Sequence, residues 1–315
     1  MKKDRVRVAV IGVSHLGEYH VQKYKAVPNV KLVGVVDTDP RRLQEIAQRY
    51  DVKGYGDHRQ VLDLVDAVSL SVPTEKHFEV ARDVLSEGVH LLIEKPITYK
   101  LEPADILINM ARERGLVLQV GLVERFNPAV VEMKSLLNKP IFFEAHRMNL
   151  FTVRGTDVDV VLDLMIHDLD IILSAVKSEV KDVHAVGMRV ITDKTDIANV
   201  RIIFENGTAA NLTASRVSGK MLRKIRVFQP DAYISADCGK RQLTIIRLDN
   251  KKKDSNNFPS VTTSKNKHPD TDPLADQISS FVNAVINGSE PVVSGQDGRN
   301  ALKIALGIID QIEKG

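Results

Sequence analysis

Two rhythms divide the chain. Up to about residue 122, short runs of β-branched residues alternate with stretches of helical period. Val6 to Ile11, Lys31 to Val36, Ala67 to Val72, His90 to Ile93 and Leu116 to Val120 read as strands. Between them, Leu16 to Ala26, a segment opening at Pro40, another following Thr74 and closed by Gly88, and Pro103 to Arg114 read as helices. Proline suits a first helical turn, threonine a cap and glycine a stop. Strands apolar on both faces and separated by helices predict a parallel sheet covered on both sides, hence a doubly wound α/β domain.

After Gly121 the rhythm changes. A helix from Pro128 to Leu137, a strand from Ile141 to Met148 and a very apolar helix from Val160 to Val176 are predicted. Alternating segments follow at Val183 to Val190, Ala198 to Phe204, Thr208 to Ala214, Ile225 to Val227 and Leu243 to Leu248. Asn206-Gly207 between two of them is a strong hairpin signal. Consecutive strands joined by tight turns predict antiparallel pairing and an α+β second domain. Residues 249 to 270 are rich in Lys, Ser and Asn and read as a mobile loop, with Lys251, Lys252 and Lys253 as a solvated cluster. The tail reads as two helices, Leu274 to Ile286 and Gly298 to Glu313.

Composition narrows the classes. The chain has 315 residues, 43% hydrophobic and 27% charged, which suits two globular domains and excludes a disordered or collagen-like chain. Lys plus Arg number 44 against 41 Asp plus Glu, an excess of only +3, and there is no Trp with only 9 Phe and 6 Tyr. So small an excess and so few aromatics argue against a nucleic-acid partner. The one cysteine, Cys238, forms no internal disulfide, no Cys/His cluster has metal spacing, and a reducing cytoplasm is expected. No apolar run reaches the ~18 residues of a membrane span, and the start, MKKDRVRVAVIG, lacks the pattern of a signal peptide.

Three motifs carry chemistry. The turn Gly12-Val13-Ser14-His15-Leu16-Gly17 follows a strand and opens a helix, as a dinucleotide site requires, with Ser14 in place of the middle glycine. The bland alternative is a tight βα corner. Asp37, at the end of the second strand and about 25 residues beyond Gly12, is placed to accept from ribose hydroxyls and favours NAD. Arg41 and Arg42 lie just beyond, where they either welcome NADP or form a solvated helix face. The second motif is the helix VVLDLMIHDLDIILSAV, where Asp163, His167, Asp170 and Ser174 recur at steps of four, three and four. A His with an Asp one turn away is an arrangement for proton transfer; a narrow polar edge meeting water is the alternative. Third, Glu94-Lys95-Pro96 closes an apolar strand at the end of the sheet where ligands bind in open α/β folds, although a single lysine there is also consistent with a snorkelling rim residue.

Taken in order, these motifs resemble the glucose–fructose oxidoreductase/inositol dehydrogenase family over essentially the whole chain. The likeness is carried by the glycine turn with His20 after it, Val72-Pro73-Thr74 with His77, Glu94-Lys95-Pro96, the Asp163/His167 helix and the closing stretch SGQDGRNALKIALGI. It implies a Rossmann domain over 1–122 and a substrate-binding and oligomerisation domain over 123–315 with an open-faced antiparallel sheet, the helices from about 273 packing back on the first. It also implies an NAD(P)-dependent dehydrogenase of a CH–OH group and a homo-oligomer built through that sheet. Lys95, Asp163 and His167 would be the catalytic group. Gly12, Ser14, His15, Leu16, Asp37, Thr38, Pro73, His77 and Glu94 would line the cofactor site, with Arg42 beside them.

Val123-Glu124-Arg125-Phe126-Asn127-Pro128 and the apolar helix look most like a subgroup that includes UDP-N-acetylglucosamine 3-dehydrogenases of envelope and lipid A sugar synthesis. That likeness makes Arg125, Asn127 and Arg154 candidates for substrate binding, and Arg147 a further cation for a pyrophosphate. A dehydrogenase of free aldoses or cyclitols, a non-catalytic NAD sensor and an S-adenosylmethionine-dependent methyltransferase are the competing readings.

Overall fold

The computed structural model describes residues 5–152, 155–156, 158–253 and 258–315. It divides into two compact units, residues 1–123 with 272–302 and residues 124–271 with 303–315.

In the first unit the elements run β1 (Val6–Ile11), α1 (His15–Ala26), β2 (Val30–Val36), α2 (Pro40–Tyr50), β3 (Lys53–Tyr55), β4 (Ala67–Leu70), α3 (His77–Ser86), β5 (His90–Glu94), α4 (Leu101–Glu113) and β6 (Leu118–Gly121). The six strands form one sheet in the order β3-β2-β1-β4-β5-β6, every pair parallel. This order reverses direction between β1 and β4, and the carboxyl ends of those two strands are where such sheets open a ligand crevice. Asp39 caps α2, its carboxylate accepting from the backbone N–H of Arg41 at 2.9 Å and Arg42 at 3.4 Å, with Pro40 in the first turn. Thr74 does not cap α3. It opens a single 3₁₀ turn, Thr74–Lys76, that leads into the helix without a side-chain cap. The core gathers Val8, Val10, Val21, Tyr24, Val35, Ile46 and Leu92, and the helix Pro273–Asn287 adds Ile278, Phe281 and Val282 to it. The buried hydroxyl of Tyr24 is satisfied by Ser69 at 2.8 Å.

The second unit contains α5 (Pro128–Ser135), β7 (Phe142–Met148), α6 (Ile166–Ala175), β8 (Val180–Met188), β9 (Ile197–Phe204), β10 (Ala209–Ser215), β11 (Leu222–Gln229), β12 (Ala232–Asp237), β13 (Gln242–Lys253) and β14 (Pro259–Lys267), and the helix Gly295–Lys314 ends the chain. The sheet order is β14-β13-β12-β11-β7-β10-β9-β8. Pairing is antiparallel except between β7 and β10, which run parallel. The expected loop at 249 to 270 is instead largely a hairpin: β13 continues through Lys253, and β14 pairs with it from Pro259 to Lys267. Asn206-Gly207 makes the β9–β10 turn, with Gly207 at φ 84°.

Alternation sorts the side chains of this sheet. Phe143, Ala145 and Arg147 of β7, Val200 and Ile202 of β9, Leu212 of β10 and Ile225 and Val227 of β11 are buried. The opposite face carries Phe142, Glu144, His146 and Met148, half-buried, and Phe228, exposed. Two rows cross that outer face, the first apolar and the second interrupted by Ser215 between Ile197 and Met148. Phe142 lies in register with Phe228, Phe228 with Tyr233 and Tyr233 with Ile246, while Met188 pairs with Ile197 and Met148 with Leu222. The three aromatic rings of the first row have centroids 5.6 and 5.2 Å apart. Among the described residues no helix is long and apolar enough to cross a membrane.

Candidate active site

The glycine turn of the first unit is built for close backbone approach. Gly12 sits at φ 82°, and a Cβ there would meet the Ser71 carbonyl oxygen at 2.7 Å. At Gly17 a Cβ would lie 1.8 Å from the Gly12 carbonyl oxygen, so α1 can reach the turn only because residue 17 is glycine. Ser14 precedes the first helical residue and its hydroxyl makes no capping hydrogen bond. The exposed Ser14 and His15 therefore leave the N-terminal turn of α1 open to an anion.

Asp37 closes the turn from the side. Its Oδ2 accepts from the Val13 N–H at 2.8 Å and its Oδ1 from the Asp39 N–H at 2.9 Å. Each oxygen retains a second lone pair toward the cleft. That cleft, about 570 Å³, brings together Gly12, Ser14, Asp37, Thr38 and Pro73. His15, Leu16, Arg42, His77 and Glu94 do not line it. Asp57, His58, Arg59, Lys76 and Glu79 do. They were missed because Asp57, His58 and Arg59 follow the very short strand β3 and Lys76 ends the 3₁₀ turn after Pro73, neither of which the periodicity reveals, while Glu79 lies in the first turn of α3, where no motif singles it out.

Arg42 sits beside the turn and is held by its neighbours. Its Nη1 donates to Glu45 at 2.8 Å, its Nη2 to Glu18 at 2.6 Å and its Nε to the Val13 carbonyl at 2.9 Å. The Arg42 hydrogen bond, acting against partial burial, also holds the Glu18 carboxyl below its usual range. These bonds tie α2 to the glycine turn and to α1.

The end of β5 is organised from beneath. Glu94 is buried, and fully buried His20 of α1 places its Nε2 3.2 Å from Glu94 Oε1. Gly121 leaves the room for this carboxylate; a Cβ there would lie 2.3 Å from Oε1. The Lys95–Pro96 peptide is cis, and Lys95 is half-buried. His77 lies behind, with Nδ1 2.8 Å from the Pro96 carbonyl and Nε2 3.0 Å from that of Val72. Burial pushes its pKa down, against the pull of those carbonyls. A neutral ring carries one N–H, so one contact is a hydrogen bond and the other a close approach. Either way His77 bridges the Val72 and Pro96 turns.

The apolar helix of the second unit is not one continuous α-helix. Residues Val161–Met165 form a π turn, and α6 begins at Ile166. Such turns recur at functional sites because they re-aim a side chain. Asp163, Leu164 and His167 are half-buried while Val160 to Leu162, Met165, Ile166 and Asp168 to Ile172 are buried. Asp163 and His167 are thus the partly exposed polar side chains between Val160 and Ile172. The peptide at Gly155, φ 74°, passes so close that a Cβ there would be 3.1 Å from Asp163 Oδ2. Arg216 holds that segment, donating to the Gly155 and Val158 carbonyls at 2.6 Å each.

The rest of the expected polar stripe separates. Asp170 is buried and takes a two-point pair from Arg125, Nε to Oδ2 at 2.8 Å and Nη2 to Oδ1. Ser174 receives the Lys134 ammonium at 2.9 Å and donates to the Ile171 carbonyl at 2.8 Å. Of the substrate candidates, Arg125 is buried with Asp170, and Asn127 caps α5 while donating to Glu124 Oε2 at 3.1 Å and the Cys238 carbonyl at 2.9 Å. The structure therefore gives both side chains an internal task in place of a solvent-facing one. Arg154 lies outside the described residues. Arg147 is buried too, donating to Asp168 at 2.7 and 3.1 Å and to Glu124 at 2.8 Å. Burial pushes the Asp168 carboxyl up, whereas the charge of Arg147 overcomes burial at Glu124 and holds that carboxyl down.

A parallel six-stranded sheet with a glycine turn and a strand-end carboxylate defines a dinucleotide-binding oxidoreductase architecture. The profile of the Gfo/Idh/MocA oxidoreductase family, NAD-binding Rossmann fold, matches residues 6–122, and that of the Gfo/Idh/MocA C-terminal domain matches residues 141–234. A UDP-N-acetylglucosamine 3-dehydrogenase of Acidithiobacillus ferrooxidans is 39% identical over 312 residues, covering 98% of this chain and 97% of that protein. A solved structure of that enzyme, GnnA, superposes with a TM-score of 0.91 at 38% identity, covering 98% of each chain. The scyllo-inositol 2-dehydrogenase (NAD(+)) of Bacillus subtilis is 25% identical over 99% of this chain and 96% of its own. The chain belongs to the Gfo/Idh/MocA family and is an NAD(P)-dependent oxidoreductase acting on a CH–OH group.

Proposed function

We propose that the chain is a cytoplasmic, NAD-dependent dehydrogenase of a nucleotide-sugar ring alcohol, with UDP-N-acetylglucosamine as substrate and C3 as the carbon oxidised. The observation that carries this reading is the 39% identity, over nearly the full length of both chains, to an enzyme named for that reaction. The cofactor cleft fits: Gly12 and Gly17 leave space that any Cβ would fill, Asp37 faces it, and Arg42 is already engaged. Bound there, NAD supplies the hydride acceptor.

Within this reading His167 takes the proton of the substrate hydroxyl. The Lys95 ammonium donates to the same oxygen and stabilises the developing alkoxide. Asp163, half-buried beside the backbone of Gly155, fixes the hydrogen-bonding partners of this pair. The outer sheet face, with its aromatic row Phe142, Phe228 and Tyr233, joins copies of the chain into a homo-oligomer.

The test is NADH production from UDP-N-acetylglucosamine, with free UDP as competitor and myo-inositol as the contrasting substrate. His167→Ala and Lys95→Met are each expected to lower kcat by about 10²- to 10⁴-fold, the span of a lost acid/base group, while NAD affinity holds. Turnover of myo-inositol without competition by UDP would replace the nucleotide sugar with a free cyclitol. Wild-type turnover in the double variant, with NAD still bound, would remove the assignment of both residues.

A further inference from the structure

Arg125 and Arg147 of the second unit are both buried against carboxylates of one helix. Residues 167 to 170 fall in the regular part of α6. At about 100° per residue, Asp168 projects roughly 100° to one side of His167 and Asp170 roughly 60° to the other. Each is buried and each is gripped at two points by a guanidinium. Arg147 donates Nε and Nη2 to Asp168 at 3.1 and 2.7 Å, and Arg125 donates Nε and Nη2 to Asp170. The arginines come from different elements, the central strand β7 and the turn Val123–Phe126. Glu124 joins them, accepting the Nη1 of Arg147 at 2.8 Å on one oxygen and Asn127 at 3.1 Å on the other.

Burying these charges stabilises little. Replacing a buried pair by apolar groups of similar size is often neutral or favourable, so such pairs are better explained by what they position. We infer that Arg125–Asp170 and Arg147–Asp168 are two rotational stays that fix α6 about its axis and so set the direction of His167. Arg125, Asp170, Arg147 and Asp168 are thus positioning residues. At the outer radius of a helix, about 6 Å, a rotation of about 10° carries a side-chain tip by about 1 Å. A 1 Å misplacement at a reacting centre costs on the order of 100-fold in rate. Neutral packing in place of a two-point pair leaves the helix docked but frees that rotation. This inference rests on the role proposed for His167.

The experiment replaces one stay by apolar residues of similar volume, Arg125→Met with Asp170→Leu, and in parallel weakens it with Arg125→Lys, which keeps the charge and gives up the fork. In the NAD-loaded protein two quantities are read: kcat with UDP-N-acetylglucosamine, and the ¹H–¹³C resonance of the His167 ring, assigned by its loss in His167→Ala. The double replacement is expected to lower kcat 10-fold or more with NAD affinity unchanged, to broaden or split the His167 resonance, and to cost nothing further in a His167→Ala background. Arg125→Lys should fall between it and the wild type, which decides the matter if the double replacement does not fold. A kcat within two-fold of wild type with one sharp, unshifted resonance would overturn the inference, as would an equal loss with and without His167. Should His167→Ala itself retain full turnover, the acid/base role fails, and the ring resonance alone still reports whether the stay orients it.

Discussion

Asp196→Asn is the sharpest stability test in the second unit. Asp196 is completely buried, and its Oδ2 accepts the backbone N–H groups of Val190, Ile191 and Thr192 at 2.8, 2.6 and 2.8 Å, while Oδ1 takes the Thr192 hydroxyl at 2.7 Å. Burial raises its pKa, but these donors more than offset that and bring it from 3.8 to about 2. A depressed carboxyl stabilises the fold above its unfolded pKa and loses that contribution as pH falls through the folded one. At about 1.4 kcal/mol per unit the ionised form contributes about 2.4 kcal/mol near neutrality, of which roughly half is gone by pH 3. The amide that replaces the carboxylate keeps its shape and one acceptor oxygen but not the charge. Denaturant unfolding of wild type and Asp196→Asn at pH 7, 5, 4 and 3 should therefore give a gap of about 2 kcal/mol that holds down to pH 5 and closes by about half at pH 3. Asp196→Ala should cost more, because three backbone N–H groups and the Thr192 hydroxyl lose their acceptor. A gap that stays constant from pH 7 to pH 3 would refute the assignment. The effect should reach the site as well: the Thr195 carbonyl accepts the Val160 N–H at 3.0 Å, and Arg216 carries the Gly155 and Val158 carbonyls beside Asp163.

Two further outcomes are expected. Asp37→Ser should weaken NAD binding by roughly 10- to 100-fold, as charge-assisted hydrogen bonds contribute about 1.5–3 kcal/mol each, while NADP binding, freed of a carboxylate facing its 2′-phosphate, improves; titration of both nucleotides by calorimetry checks this, and a parallel loss for both would show that Asp37 does not discriminate. Phe228→Arg places a charge in the middle of the outer aromatic row and should lower the sedimentation mass to that of one chain without lowering the melting temperature of the monomer; an unchanged mass would place the contact between copies elsewhere.

The nucleotide cleft was legible because its determinants are local. The Gly12 and Gly17 turn and Asp37 at a strand end each follow from position along one element, Pro73 follows from the family resemblance, and the structure gathers Gly12, Asp37 and Pro73 around one space. Strands β3, β12 and β14 were not legible for a common reason. The first has three residues, the second is nearly uniformly buried, and the third, PSVTTSKNK, lies at the sheet edge, exposed along most of its length. None shows the two-residue alternation of a half-buried strand, and β14 is held by its pairing with β13 instead of by burial.

The polar residues of the second unit were legible only as breaches of pattern. Arg147 falls in phase with Phe143 and Ala145, where a core residue belongs, and Asp168 and Asp170 interrupt an otherwise apolar helix. A breach of this kind says that a charge is buried, and burial demands an opposite charge. It does not say which one, because the partners stand 21 and 45 positions apart. The stripe Asp163, His167, Asp170 and Ser174 therefore reads in the sequence as a single surface, whereas the fold divides it by partner. Asp170 and Ser174 already have Arg125 and Lys134. Asp163 and His167 are half-buried, and the π turn that contains Asp163 alters the regular period on which the stripe rests. Which side chain Asp168 and Asp170 each pair with is thus decided by tertiary packing, a property that no spacing rule contains.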